Sequence, residues 1–176
     1  MELLHHRETP SIAVESVDVA VWCDQGRWHF RYLVEGAQGL ALPDPAAPAR
    51  ADGLWKTTCF EAFAGLSGGA YLEFNFSPSS QWAAYRFDAY RQGMREEPTE
   101  VEVWSEGGDS WIALEASVRC DALVARAPLG LTAVIEEKGA QKSYWALAHP
   151  ANPSKALPDF HDRSCFVAKL ADIAAS

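Results

Sequence analysis

Short runs in which apolar and polar residues alternate recur along the whole chain, broken by clusters of Gly, Pro, Asp and Ser. Alternation with a period of two sends successive side chains to opposite faces of an extended backbone. The pattern therefore predicts an all-β fold, an antiparallel sandwich of the jelly-roll or immunoglobulin-like kind with about ten strands. Those strands are expected near 12–23, 27–35, 55–64, 71–77, 82–91, 99–105, 110–119, 129–137, 141–149 and 163–170. Only Cys120–Arg126 and the C-terminal tail carry a pattern compatible with a helical turn. Gly36–Gly53 is the longest stretch with little to bury, and loops of that length are often functional. With neither an internal repeat nor a linker, residues 1–176 read as one domain.

The hairpin in the middle of the chain can be assigned a register. In Tyr71–Ser77, Leu72, Phe74 and Phe76 fall on one face, and Tyr71, Glu73, Asn75 and Ser77 on the other. A turn of two or four residues at Pro78–Gln81 would place Ser77 opposite Trp82, Glu73 opposite Arg86 and Tyr71 opposite Asp88. The second face would then match Phe74 with Tyr85 and Leu72 with Phe87. For the preceding strand, a five-residue loop at Leu66–Ala70 sets Phe60 against Phe76, Ala62 against Phe74 and Glu61 against Asn75. The product is a three-stranded polar face carrying Glu61, Tyr71, Glu73, Asn75, Trp82, Arg86 and Asp88.

Carboxylates, an amide, a guanidinium and aromatic rings on one surface suit a polyhydroxylated ligand. The polar groups exchange hydrogen bonds with hydroxyls while Trp and Tyr offer an apolar surface. The expected function is thus non-catalytic binding of a carbohydrate or similar polyol. A glycoside-processing enzyme is the alternative, with Glu61 and Glu73 as its carboxylate pair. Such pairs stand about 5–5.5 Å apart in retaining enzymes and about 6.5–9.5 Å apart in inverting ones. In the register above Arg86 would sit beside Glu73 and lower its pKa, which suits a nucleophile better than a proton donor.

Charge and composition narrow the partners. With 15 Lys and Arg against 24 Asp and Glu, a net charge of −9 argues against nucleic acid and anionic membrane surfaces. No apolar run is long enough to span a bilayer, and the N-terminus has no basic segment ahead of an apolar one, so a cytoplasmic location is expected. Cys23, Cys59, Cys120 and Cys165 show no CxxC spacing and read as reduced, buried residues with no metal site. His5 and His6 fall in a segment expected to fray. His29 lies within a strand, whereas His149 and His161 mark strand ends, where sites gather. No P-loop, Rossmann fingerprint or nucleophile elbow occurs.

Four blocks, LWKTTCFE at 54–61, YLEFNFSP at 71–78 followed by QWAAYR at 81–86, YWALAHP at 144–150 and PDFH at 158–161, carry a resemblance. Together they resemble a bacterial DOMON-like domain family, related to the family-9 carbohydrate-binding modules, over about residues 10–170. The resemblance implies a jelly-roll-like sandwich and, from relatives, sugar or haem binding. On the sugar reading Glu61, Glu73 and Asn75 match the shared strand pattern, and Trp55 or Trp82 would stack on the ligand. On the haem reading Met94 would pair with His149 or His161. The chain is expected to be neither exported nor fused to an enzyme, which favours a small intracellular ligand. The oligomeric state is open.

Overall fold

The computed structural model describes residues 1–150 and 158–169. Two antiparallel sheets pack face to face. The smaller sheet is built from β2 (Ser16–Asp24), β3 (Arg27–Glu35), β8 (Glu100–Gly107) and β9 (Trp111–Arg119), in the order β2-β3-β9-β8. The larger runs β1-β11-β10-β4-β5-β6-β7, with β12 also paired to β10. Its strands are β1 (Leu4–His5), β4 (Cys59–Gly65), β5 (Tyr71–Phe76), β6 (Trp82–Phe87), β7 (Arg95–Glu96), β10 (Pro128–Glu137), β11 (Gln141–Ala146) and β12 (Ala168–Lys169). The fold is therefore an all-β antiparallel sandwich, as the alternation predicts.

Alternation decides what lies between the sheets. Val17, Val19 and Val21 of β2 and Trp28, Phe30, Tyr32 and Val34 of β3 point inward, to meet Phe60, Ala62, Leu72, Phe74 and Phe76 of β4 and β5. Aromatic pairs bridge the layers, with Phe30 5.5 Å from Phe76 and Tyr32 4.9 Å from Phe60. The Tyr32 hydroxyl donates to the Glu61 carbonyl at 2.7 Å, so burying it leaves no polar group unsatisfied.

Two local expectations are corrected. The N-terminal segment is tied down, because β1 pairs with β11, Glu2 bridges to Asp18 of β2, and Leu3 is buried. The Met1 ammonium also donates to Val19 O at 2.8 Å. A segment that hydrogen-bonds to both sheets has little freedom to fray. Cys120–Arg126 forms two turns, closed by Leu123 N to Cys120 O and Ala127 N to Val124 O, with no helix. Arg126, at φ 72°, adopts the left-handed conformation that ends such a run. The C-terminal tail beyond Lys169 lies outside the described residues.

The hairpin register is correct on one side and wrong on the other. β4 pairs with β5 as Phe60–Phe76, Glu61–Asn75 and Ala62–Phe74, as the odd loop length requires. β5 pairs with β6 one residue out of step with the expected register: Phe76–Trp82, Glu73–Tyr85, Leu72–Arg86 and Tyr71–Phe87. The cause is the turn. Ser77 N donates to Gln81 O and Ser80 N to Ser77 O, leaving a three-residue loop at Pro78–Ser80 with Ser80 at φ 75°. Glycine normally marks that left-handed position, and a serine there hides the odd loop.

Candidate functional site

The register change reassigns the outer face of the large sheet. A shift of one residue exchanges the two faces of a strand. Trp82 and Arg86 accordingly leave the face of Glu61 and Glu73, while Tyr85 and Phe87 join it. Trp82 packs against the inter-sheet core. Arg86 comes within 3.8 Å of Glu97, so the expected Glu73–Arg86 pair does not form. Asp88, expected opposite Tyr71, lies past the end of β6 and binds Arg95 at 2.7 Å.

This outer face is covered. Every residue of β4 and β5 is buried, on both faces. Leu54, Cys59, Phe63, Tyr71, Ala83, Tyr85, Phe87 and Phe166 form a second hydrophobic core. Three segments cap it. Leu54–Lys56 makes a short 3-10 turn after Gly53 (φ 75°), which drops Leu54 into this core and leaves Trp55 edge-on to Tyr85 at 6.4 Å. The loop following β6 turns through Arg91 (φ 53°) and Gly93 (φ 66°). A C-terminal segment, residues 158–166, brings His161 and Phe166 against Phe63 and Tyr71. In that segment Asp162 caps the turn Arg163–Cys165 by accepting from Ser164 N at 2.9 Å.

Between the caps lies a cavity of about 400 Å³. Its lining is Trp55, Glu61, Phe63, Glu73, Tyr85, Phe87, Arg91, Met94, Val134, Tyr144, Pro158, Phe160 and His161. That size falls within the usual range for small-molecule sites, roughly 300–1,000 Å³, as does the combination of rings and few polar groups.

Glu61 projects from β4 and accepts from Thr132 Oγ1 of β10 at 3.0 Å. Glu73 projects from β5, accepts from Asn75 Nδ2 at 2.8 Å, and stands 3.8 Å from His161 Nε2. His161 is held in turn by the Tyr71 hydroxyl at 2.7 Å from Nδ1, and Arg91 N donates to the same hydroxyl at 3.2 Å. Burial, reinforced by Glu73, lifts Glu61 from 4.5 to about 8. Burial raises Glu73 as well, against the lowering effects of Asn75 and Arg91. Burial, with Arg91 adding to it, pushes His161 down to about 4. At neutral pH the site thus holds a neutral imidazole and a protonated Glu61. A lowering of Glu73 by Arg86, expected from the sequence, is replaced by an upward shift.

Of the residues singled out from sequence, Trp55, Glu61, Glu73 and His161 line the cavity. Tyr71 and Asn75 stand behind them as hydrogen-bond partners of His161 and Glu73. His149 is not among the described lining residues; its Nε2 is 2.8 Å from Leu4 O, and its ring lies 5.1 Å from His6 and 6.5 Å from the lining residue Phe160. The sequence reading missed Phe63, Tyr85, Phe87, Arg91, Tyr144 and Phe160. Phe63 carried a usable signal, because it interrupts the alternation of β4 with a large apolar residue on the supposedly polar face. Met94 and His161 share the cavity, but the two His161 nitrogens face Tyr71 and Glu73. Among the described residues no cluster of His, Cys, Asp and Glu could hold a metal ion, and all four cysteines are free. No described helix is long and apolar enough to cross a membrane.

No protein-family model and no curated protein matches the chain. Among solved structures it is similar to a protein from Bacteroides uniformis named "putative carbohydrate-binding protein". The TM-score is 0.53 at 15% sequence identity, over 91% of this chain and 81% of the other. At that identity the likeness concerns the fold.

Proposed function

We propose that the cavity on the outer face of the large sheet binds a carbohydrate or similar polyol, without chemical change to the ligand. The observation that carries this reading is the pairing of two buried carboxyl groups with aromatic walls in one cavity of small-molecule size. A protonated carboxyl both donates and accepts, as sugar hydroxyls do, and rings such as Trp55 and Tyr85 offer C–H faces a surface to lie on. The name of the structural neighbour and the resemblance to DOMON-like domains and family-9 modules lend support. Trp55, Glu61, Glu73 and His161 would meet the ligand, with Tyr71 and Asn75 holding them in place. Calorimetric titration with mono- and oligosaccharides tests this. Saturable heats that disappear in Glu73→Ala are expected, and a panel without any binding would overturn the proposal.

One observation favours a second reading. Glu61, held near 8, is protonated at neutral pH as a general acid must be, and a second carboxyl group shares its cavity. Glycoside processing by Glu61 and Glu73 would release aryl leaving groups from aryl glycosides. Turnover abolished by Glu61→Gln would establish that reading, and absence of turnover across the panel would remove it.

A further inference from the structure

Among the described residues, no Lys or Arg side chain forms an ion pair with either carboxyl group in the cavity. Glu61 is 4% exposed; one oxygen accepts from Thr132, and the other has no hydrogen-bond partner among the described residues. Glu73 is 6% exposed; its carboxyl group accepts from Asn75 and stands 3.8 Å from the His161 ring. Among the described lining residues the one permanently charged cation is Arg91, whose guanidinium is bound to Asp159 at 3.1 Å. Two buried acids of like charge, with no counter-ion in contact, are costly to ionise together.

The remaining walls suit a cation. Trp55, Phe63, Tyr85, Phe87, Tyr144 and Phe160 surround the cavity, and the negative faces of such rings attract ammonium groups. An ammonium carries three donors and no acceptor, which matches carboxylate oxygens left unpaired.

We infer that the ligand carries a protonated amine seated between Glu61 and Glu73, so that the site selects an amino sugar or aminated polyol over its neutral counterpart. This rests on the carbohydrate reading above and adds the ligand's charge to it. Seating the cation draws a proton off Glu61. The charged and titratable groups facing the pair are Arg91 and Asp159 from the caps, His161, and Tyr71, Tyr85 and Tyr144 from β5, β6 and β11. Among the described residues, Cys59 on β4 and Tyr32 from the opposite sheet also face it. Among these described groups Arg91 is the permanent cation, and it is already engaged by Asp159.

Titration calorimetry compares D-glucosamine with N-acetyl-D-glucosamine and D-glucose, and N-methyl-D-glucamine with D-glucitol. The amines are expected to bind at least about tenfold tighter than their neutral partners. At pH 7 the binding of N-methyl-D-glucamine should release a proton, read as a dependence of the heat on the buffer's ionisation enthalpy. Glu61→Gln should abolish that release and most of the preference; the wild-type release stands as a test even if the variant fails to fold. Neutral sugars binding as well as amines, with no proton released, would overturn this inference and leave the carbohydrate reading standing. Choline binding while no sugar binds would overturn the carbohydrate reading and uphold the charge requirement. Silence from every probe would overturn both.

Discussion

Glu115 on the outer face of the four-stranded sheet stands 3.4 Å from the His29 ring and 3.8 Å from the Arg31 guanidinium. Glu61 and Glu73, on the outer face of the larger sheet, are walled in by rings and bound to neutral partners. Both faces offer carboxylates, aromatic residues and arginines. The small sheet leaves them in contact with water, with Trp22 stacked on His29 at 5.0 Å and Trp104 exposed. The large sheet is roofed by chain segments that enclose a cavity. A carboxyl group becomes chemically unusual through what lies above it, since desolvation acts on the charged form whatever the strand beneath.

The largest expected contrast between the faces is in stability. Phe63→Ala removes a ring from the second core and should cost about 3–5 kcal/mol in urea unfolding. Trp104→Ala, on the exposed face, should cost under about 1 kcal/mol. Equal costs would mean that the roof over the large sheet adds no packing.

A second contrast is in pH dependence. Glu61 is held near 8 against an ordinary 4.5, so its contribution to stability is full below 4.5 and lost as pH climbs to about 8. His161 has the opposite sign: held near 4 against 6.5, its contribution is full above 6.5 and lost as pH falls toward 4. The slopes oppose each other between about 4.5 and 6.5, and the glutamate slope remains above that. Wild-type protein should lose about 2 kcal/mol between pH 6.5 and 8, and Glu61→Gln much less, in unfolding titrations at each pH.

Smaller effects sharpen the comparison further. Tyr71→Phe removes the hydroxyl that holds His161 and accepts from Arg91 N, and should cost about 1 kcal/mol. Arg31→Ala breaks contacts with Glu106 and Glu115 in the open and should cost at most about 0.5 kcal/mol.

The strands were legible because alternation and Gly, Pro, Asp and Ser breaks mark them locally, and every one of the ten expected spans overlaps an observed strand, for 163–170 the two-residue β12. The two-residue edges β1 and β7 were not, since so short a segment carries no period. Phe60–Phe76 and Glu61–Asn75 could be paired in advance because the Leu66–Ala70 loop fixes the parity. Ser80 withheld the parity of the next turn, and that one residue sent Trp82 and Arg86 to the wrong face and kept Tyr85 and Phe87 out of the site. Arg91 and Phe160 reach the cavity from segments outside the strands, where no periodicity applies. His161 was accessible as a strand-end residue, but its tie to Tyr71 is a tertiary contact 90 positions away.

The central claim is that the roofed face, and not the open one, receives the ligand. Its most direct test follows the indole N–H signals of ¹⁵N-labelled protein during titration with the neutral and amino sugars above. Trp55 lines the cavity, whereas Trp22 and Trp104 lie on the far sheet. A saturable shift of the Trp55 signal with Trp22 and Trp104 unmoved is the predicted result. Shifts at Trp104 with Trp55 unmoved, or none at any indole at the highest sugar concentration, would contradict the account.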